Sequence, residues 1–421
     1  MFRRRVPSLS PPTAGWYAVQ PTRIVTPRIL SPFVLAVSAL LAVGYAYVAA
    51  RLGAGPWSRT ALALPFLLVW IVPVAYWTRD GTRTETWFDR AIHQASYLSM
   101  AWISFLLVGA LARDVALLAT RIPGFGGVHG AIAQDGVPVV FAASLLAMAI
   151  GATTALRGPR IQDVTVPIAG LHPDLDGFRI VQISDLHVGR TIRRPYVERV
   201  VACAEALAPD LVAFTGDMVD APVAHIAADV APLAALAREK PAFFVLGNHD
   251  CYAGAQDWIT HFEHLGVRVL RNEHDAIRKG AATMIVGGVV DPAYRDASPA
   301  ISLDAAAPAD FRLLLAHNPK LAPLGARAGF DLQLSGHTHA GQFFPWTIAV
   351  RLVHAPHVAG LSREERMWVY VSAGTGSWGP PVRFGTSPEI TRITLVRGTV
   401  DGHRSDAVEC APSRASFNGR T

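Results

Sequence analysis

The sequence predicts a chain of two parts, an N-terminal α-helical membrane domain of four spans followed by an α/β domain. The first observation is composition: 51% of the 421 residues are hydrophobic and only 17% are charged, which is apolar for a soluble protein. The second is charge. Residues 1–160 hold 14 of the 38 Lys and Arg residues and 5 of the 32 Asp and Glu residues, a net charge of +9, which leaves −3 for residues 161–421. The third is a change after residue 156 to short apolar runs separated by turn residues, a pattern typical of α/β domains.

The membrane domain is predicted from four uncharged stretches, at residues 29–50, 60–78, 91–112 and 136–156. Each is about as long as the roughly 20 helical residues that cross the hydrocarbon core of a bilayer. None of them shows a clear polar stripe, which argues against four buried helices of a soluble bundle. These stretches therefore predict a multi-pass membrane protein.

The arginines around these stretches predict an orientation. Eight of them precede the first stretch or follow the second: Arg3, Arg4, Arg5, Arg23, Arg28, Arg79, Arg83 and Arg90. The other two loops carry fewer. Because cytoplasmic loops are enriched in Lys and Arg, the N-terminus and everything after residue 156 are predicted to face the cytoplasm. The membrane is predicted to be a bacterial-type inner or cell membrane.

The domain boundaries follow from these patterns. They are a cytoplasmic arm over 1–28, the membrane domain over 29–156, a linker over 157–176, the α/β domain over 177–397 and a polar tail over 398–421. Apolar runs predict strands at 178–184, 210–216, 242–248, 283–290, 311–317, 330–336, 367–373 and 390–396. Apolar residues at helical spacing predict helices over 196–207 and 224–238.

The charge distribution also bears on partners. A sequence pI of about 9.5 would suit nucleic acid, because Lys and Arg neutralise phosphates. The positive charge belongs to the membrane part, however, and the α/β part is slightly negative. The sequence therefore predicts a membrane with anionic headgroups as partner and counts against nucleic acid.

Potential metal ligands follow almost every predicted strand of the α/β part. They are Asp185-Leu186-His187, Gly216-Asp217, Gly247-Asn248-His249-Asp250, His317 and Gly336-His337-Thr338-His339. Open α/β sheets place their sites at the carboxyl ends of strands, and the glycines are expected to let the backbone turn sharply near a bound ion. Each fragment alone is weak evidence, because a lone DxH is more often surface polarity or a buried core histidine.

The ordered series DxH, GD, GNHD, H and GHTH resembles the calcineurin-like metallophosphoesterases, above all their membrane-associated branch with its transmembrane members. The resemblance covers about residues 175–375. It implies a sandwich of two mixed β-sheets flanked by helices, with two metal ions side by side. It further implies two ligand sets that share a bridging Asp217: Asp185, His187, Asp217 and His339 for one ion, and Asp217, Asn248, His317 and His337 for the other.

The resemblance also implies the chemistry, a metal-dependent hydrolysis of a phosphodiester or phosphomonoester by a hydroxide that bridges the ions. Oxygen and imidazole ligands without thiolate suit Mn, Fe or Zn ions, and two such ions neutralise phosphoryl oxygens during in-line displacement. His249 is the expected catalytic acid. Asp250 either orients His249 or caps the following segment.

Three smaller features complete the predicted site. Ala340 stands where relatives commonly have glycine after GHTH, a change that removes no ligand. The segment SAGTGSWGPP, residues 372–381, is similar to this branch and is expected to form a wall beside the metals. His354 and His357 match no motif position and are expected to be solvent-facing or loop histidines, with a place along the substrate cleft as the alternative for either.

Two alternative functions remain open on the residues alone, a membrane protein that only binds metal and a two-metal nuclease. The four predicted spans motivate the further hypothesis of a lipid-linked phosphoester as substrate. The sequence does not distinguish monoester from diester, and it leaves the oligomeric state unknown.

Overall fold

The computed structural model describes residues 32–70, 86–292, 297–398 and 405–408. Its helices are α1 (Pro32–Leu52), α2 (Pro56–Leu68), α3 (Trp87–Ala119), α4 (Gly126–Arg157), α5 (Arg194–Ala206), α6 (Val223–Val230), α7 (Asn248–Tyr252), α8 (Ala255–His264), α9 (Pro299–Ser302), α10 (Ala322–Ala328) and α11 (Trp346–His354). Short 3-10 turns lie at Pro173–Leu175, Ala231–Ala237, Pro319–Leu321 and His339–Gly341.

The strands are β1 (Arg160–Ile168), β2 (Arg179–Ile183), β3 (Leu211–Phe214), β4 (Ala242–Phe244), β5 (Arg268–Val269), β6 (Glu273–Lys279), β7 (Ala282–Gly288), β8 (Phe311–Leu315), β9 (Leu332–Ser335), β10 (Gly360–Glu364), β11 (Met367–Val371), β12 (Glu389–Arg397) and β13 (Ser405–Val408). They form a sheet of order β13-β1-β12-β2-β3-β4-β5 and a sheet of order β10-β11-β9-β8-β7-β6. Both sheets mix parallel and antiparallel pairs, which confirms the two mixed sheets predicted above.

Three of the described helices are long and apolar enough to cross a membrane: Val34–Leu52 within α1, α3 and α4. The prediction of four spans is wrong on this count. The second predicted stretch, 60–78, begins in α2, whose 13 residues measure about 20 Å, short of the roughly 30 Å hydrocarbon core. Residues 71–78 lie outside the described part of the chain.

Among the candidate membrane helices, α3 has a capped start, and α1, α3 and α4 contact one another through a polar pair and a close backbone approach. Thr86 and Asp89 form a capping box that starts α3. At the far end of α3, Asp114 pairs with Arg51 at 2.8 Å, so the ends of α1 and α3 lie together and the two helices run in the same direction. A Cβ added to Gly109 would lie 2.7 Å from a methyl group of Val140, a close approach typical of helix pairs in membranes.

The main hydrophobic core lies between the two sheets. It contains buried residues of both, among them Val166, Ile180, Ala213, Met284, Leu313 and Leu332. The outer face of the first sheet is covered by α5, α6 and α8, and α10 packs beside β10 and β11 of the second. This arrangement is the sandwich flanked by helices that the sequence analysis expected.

Two segments assigned above to a linker and a tail add strands to the first sheet. β1 lies within residues 157–176 and pairs in parallel with β12 along its whole length. Its inward residues Val164, Val166 and Ile168 are buried, and the polar residues Gln162 and Asp163 before them weaken the strand pattern in the sequence. β13 lies within residues 398–421 and pairs antiparallel with β1.

Helices α3 and α4 also pack against loops of the α/β part. The backbone N–H of Arg383 donates to the carbonyl of Gly151 in α4 at 2.9 Å, and a Cβ on Gly151 would lie 2.5 Å from Val382. The ring of Phe105 in α3 lies 5.8 Å from Phe343 and 5.5 Å from Phe384. The candidate membrane spans therefore contact the loops that carry the site.

Candidate metal centre

All seven predicted metal ligands meet at one edge of the sandwich, because each of them follows a strand. Three groups of side chains place their ligand atoms within 4.8 Å of one another: Asp185, His187 and His339; His187, Asp217 and His249; and Asp217, His317 and His337. His187 links the first group to the second, and Asp217 links the second to the third. The three groups therefore form one continuous cluster.

The cluster has two halves around Asp217. We call Asp185, His187 and His339 the outer half, and Asn248, His317 and His337 the inner half. In the outer half, His339 Nε2 lies 3.0 Å from His187 Nε2 and 3.3 Å from Asp185 Oδ1. In the inner half, Asn248 Oδ1 lies 3.1 Å from His337 Nδ1. Asp217 Oδ2 is 3.2 Å from His317 Nε2 and 3.9 Å from His187 Nε2, so it faces both halves.

The ligand loops have unusual backbone conformations. Five of the predicted ligands adopt a positive φ that non-glycine residues rarely use: Asp185, His187, Asp217, His337 and His339. Gly216 has a φ of 88°, as the expected sharp turn requires. Gly247 and Gly336 are required for another reason, because a side chain at either position would collide with a neighbouring carboxylate. A Cβ there would lie 2.1 Å from Asp217 Oδ1 and 2.0 Å from Asp185 Oδ2. Strain concentrated in this way is typical of functional sites.

Asp220 holds two histidines at once, and the sequence analysis missed it. Nδ1 of His187 and Nδ1 of His249 lie 2.8 and 2.9 Å from its Oδ1. An imidazole that donates from Nδ1 keeps the lone pair of Nε2 for a metal ion or a substrate. The only signal in the sequence is a second carboxylate three residues after Asp217, in GDMVD.

Asp250 fixes the backbone of two ligand loops. Its carboxylate accepts hydrogen bonds from the backbone N–H groups of Asp217, Met218, Val219 and Gly247, at 2.8 to 3.1 Å. Burial, together with the charge of Asp217, raises the pKa of Asp250 to about 7. Of its two predicted roles, the contacts support the structural one.

The side chain of Arg383 supports the outer half through hydrogen bonds to backbone carbonyls. This arginine is fully buried, and its Nη1 donates to the carbonyl oxygens of His339 at 3.1 Å and Ala373 at 2.7 Å. Nothing in the sequence marks Arg383, which lies 44 residues after His339 and comes to it only through tertiary folding.

The electrostatics of the cluster favour a cation. Burial would lower the pKa of His187, but the carboxylate of Asp220 raises it to about 9. Burial would likewise lower the pKa of His317, which Asp217 raises to about 10. Burial raises the pKa of Asp185. Buried carboxylates that draw protons onto neighbouring imidazoles create the negative potential that attracts divalent ions.

The donor atoms also fit divalent metal ions. His317 Nδ1 hydrogen-bonds the carbonyl of Thr215 at 2.8 Å, while its Nε2 is buried and makes no hydrogen bond to any described residue. Since this nitrogen lies 3.2 Å from the carboxylate of Asp217, the two groups could hold a cation together. Carboxylate, amide and imidazole donors suit Mn, Fe and Zn alike, so the cluster fits a metal without identifying it.

Of the remaining predicted residues, His249 and His354 lie beside the cluster and His357 does not. The side chain of His249 is 23% exposed, and its ring lies 6.0 Å from the ring of Trp378, in the predicted wall. His354 lies beside the site, its ring 5.3 Å from that of His337. His357 is buried and bonds Ser362 and Glu364, which is a structural role.

Ala340 has a φ of 51°, in the region that favours glycine, and the following Gly341 has a φ of 81°. The alanine is therefore accommodated in a strained backbone and leaves the preceding ligands in the cluster, as expected.

Comparisons with known proteins agree with this site. The family model for calcineurin-like phosphoesterases matches residues 178–341, the segment that carries all seven ligand positions. A metallophosphoesterase of Aquifex aeolicus, described as uncharacterized, is 30% identical over 243 residues, which cover 56% of this chain and 91% of the relative. The chain belongs to the calcineurin-like metallophosphoesterases.

Two vertebrate proteins are also similar to this metallophosphoesterase. Each is described as a transmembrane protein with metallophosphoesterase domain. The protein of Danio rerio is 34% identical over 61% of this chain and 63% of its own length. The protein of Bos taurus is 34% identical over 58% of this chain and 59% of its own length. The chain therefore spans somewhat less than two thirds of these relatives.

Proposed function

We propose that this protein is a membrane-anchored phosphoester hydrolase that uses two divalent cations. The observation that carries the proposal is the continuous cluster, in which Asp217 faces an outer and an inner half. Asp185, His187 and His339 would hold one cation with Asp217, and Asn248, His317 and His337 would hold the other with it. Bound there, the cations would neutralise phosphoryl oxygens and polarise water.

The protein's own residues supply the remaining chemistry. His249 lies at the rim, and its backbone N–H donates to Asp217 Oδ1 at 2.8 Å, so its ring is held next to the shared ligand. With Nδ1 bound to Asp220, the free Nε2 is the group that protonates the leaving oxygen of the ester. Asp220 positions His249 and does not itself touch the substrate.

The substrate we propose is a phosphodiester or phosphomonoester at the membrane surface, such as a lipid-linked phosphate. Support comes from the contacts of the site loops with α3 and α4, because these place the cluster beside two candidate spans. A soluble substrate would need no such arrangement. If the substrate is lipid-linked, turnover of a bilayer-presented ester exceeds that of its short-chain soluble analogue; equal rates would contradict this part of the proposal.

The α/β part and the N-terminus lie on the same side of the membrane, which we take to be the cytoplasmic side. Support comes from the Arg51–Asp114 pair, because α1 and α3 then both start on the side of the α/β part. Helix α2 returns the chain from the end of α1 toward the start of α3, although it is shorter than the three candidate spans: Ser96, near the start of α3, donates to the carbonyl of Val69 at 3.3 Å. Reporter fusions at the two termini give matching cytoplasmic signals on this proposal, and opposite signals would exclude it.

The test combines metal analysis with hydrolysis of bis-p-nitrophenyl phosphate and p-nitrophenyl phosphate by the full-length protein. Native protein should carry about two metal ions and hydrolyse at least one of these esters. Asp217→Asn should lose metal and turnover together. His249→Ala should keep the metal and lose turnover by about 10²–10⁴-fold. His264→Ala, an exposed histidine of α8, is the matched control and should behave as native.

The outcomes separate the candidate functions. Native protein that binds metal but hydrolyses neither ester with any of Mn, Fe or Zn would favour the purely metal-binding alternative. His249→Ala with native turnover would remove His249 from the mechanism while leaving the metal centre in place.

A further inference from the structure

Helix α11, which follows the His339–Gly341 turn, exposes apolar side chains. Leu352, Val353 and Ile348 are 84%, 61% and 55% exposed, and their spacing puts them on one side of the helix. All nine residues of α11 are described and none is buried. The amphipathic helix α8, of ten residues, buries four. An apolar face turned outward in this way marks a contact with another apolar phase.

The start of α11 is fastened to α3. Trp346 Nε1 donates to Ser104 Oγ at 3.2 Å, just after the contact between the rings of Phe343 and Phe105. Ser104 lies in the uncharged stretch of α3, about 13 Å along the helix from Arg113. That stretch belongs to a candidate span, so α11 is attached to α3 at a depth where lipid surrounds the helix.

We propose that α11 is embedded in the bilayer that holds α3 and α4, with its apolar face against the acyl chains. The polar groups of the helix fit this occupant. Arg351 is exposed and, like His354, lies in the last turn, where a cation meets the anionic phosphates of headgroups. The amphipathic ring of Trp346, 46% exposed, suits the membrane interface.

Helix α11 contacts residues of the metal cluster, or the turn that carries them, at both of its ends. A Cβ added to Gly341, in the ligand turn, would lie 2.5 Å from the Cα of Thr347, so the turn and the helix are in backbone contact. At the other end of α11, His354 packs beside the ligand His337. An embedded α11 therefore sets the cluster at the depth of lipid headgroups, where it meets phosphoesters presented by a bilayer. This consequence for the substrate rests on the proposed function, whereas the location of α11 does not.

The experiment is site-specific photocrosslinking of the full-length protein in vesicles of phosphatidylcholine and phosphatidylglycerol. The photoreactive residue p-benzoylphenylalanine replaces Leu352 in one sample. In the matched control it replaces Ile301, which is 59% exposed but lies in α9, beside β6 and β7 at the other edge of the second sheet. The same residue at Ile348 serves as a second probe of α11, in case the first variant folds poorly. Intact-mass analysis then identifies the adducts.

We expect lipid adducts at position 352 to exceed those at position 301 severalfold. Equal adducts at both positions would overturn the proposal. So would adducts at 352 with the protein itself, because they would show that another segment of the chain or a second copy covers α11. Hydrolysis of bis-p-nitrophenyl phosphate is measured on the native sample. Lipid adducts without hydrolysis would contradict only the proposed function, and hydrolysis without lipid adducts would contradict only the placement of α11.

Discussion

The two halves of the metal cluster are supported by different parts of the molecule. The inner half is held from within the sandwich, since His317 bonds the backbone at the end of β3 and Asp250 ties the Asp217 loop to the Gly247 loop. The outer half is held by Arg383, whose own backbone bonds α4. The loop after His187 is held in turn by α3, because Gln94 donates to Thr191 at 3.1 Å.

The contacts of α3 and α4 with the site loops give these candidate membrane helices a second role. Contacts from α3 and α4 reach the loops that carry or support the outer half. Among them, Arg190, three residues after His187, contacts His93 of α3. The helices are therefore part of the support of the site as well as an anchor. A chain that lacks residues 1–156 is expected to lose the outer cation before the inner one.

The largest effect is expected at Asp250, which supports the shared ligand and the inner half. Asp250→Ala leaves four backbone N–H groups without their acceptor, and each buried donor left unpaired costs about 1–3 kcal/mol. Both cations should be lost, with a fall of several kcal/mol in the free energy of unfolding. Metal analysis and thermal unfolding measure this, with the exposed Asp257→Ala of α8 as control. Retention of either cation would contradict the role of Asp250 in holding the shared residue Asp217.

Arg383→Met should separate the two halves. The variant removes the donor to the carbonyl of His339, so affinity for the outer cation should fall by about 100-fold, as for the loss of other residues that orient ligands. The inner cation should remain. In the Mn²⁺-loaded protein, electron paramagnetic resonance should change from a coupled two-ion spectrum to that of a single ion. Arg327→Met, at the exposed end of α10, should keep the coupled spectrum. Loss of both ions would mean that the halves are not independently supported.

Asp220→Asn should weaken the outer half and the proposed acid together. The amide keeps an oxygen acceptor but loses the charge that holds His187 and His249, so turnover of bis-p-nitrophenyl phosphate should fall by about 10–100-fold. The inner cation should stay bound. If turnover fell with both cations fully retained, Asp220 would act through His249 alone, and a variant with native turnover would show that it positions neither histidine.

The smallest effect is expected from a substitution in helix α4. Gly151→Val places side-chain atoms where Val382 packs and should displace the Arg383 loop, weakening outer-cation affinity by about tenfold, the low end for indirect support of a metal site. Gly130→Val is a matched control in the same helix, because an added Cβ there meets no described atom within 4 Å. Equal metal affinities in the two variants would remove α4 from the support of the site.

That the seven proposed ligands lie together was predictable, because each is a local feature of the sequence. A buried strand followed at once by Asp217 or His317 needs only the general rule that strand ends meet at one edge of a sheet. The same local logic predicted eight strands. It did not find β1, whose polar residues Gln162 and Asp163 interrupt the apolar pattern, and it assigned to the second membrane stretch a length that α2 does not reach.

What the sequence by itself determined was the two-part organisation, the strands that carry the proposed ligands and the choice of the residues proposed as ligands. Only the tertiary structure decided which residues hold them in place. Asp220 and Arg383 reach their histidines through loops whose path depends on packing against the sheets and against α4. The faces of α8 and α11 make the same point, because an amphipathic pattern defines an apolar side but not whether that side meets the protein core or another apolar phase. Local spacing determines periodicity, whereas burial depends on what the rest of the chain brings alongside.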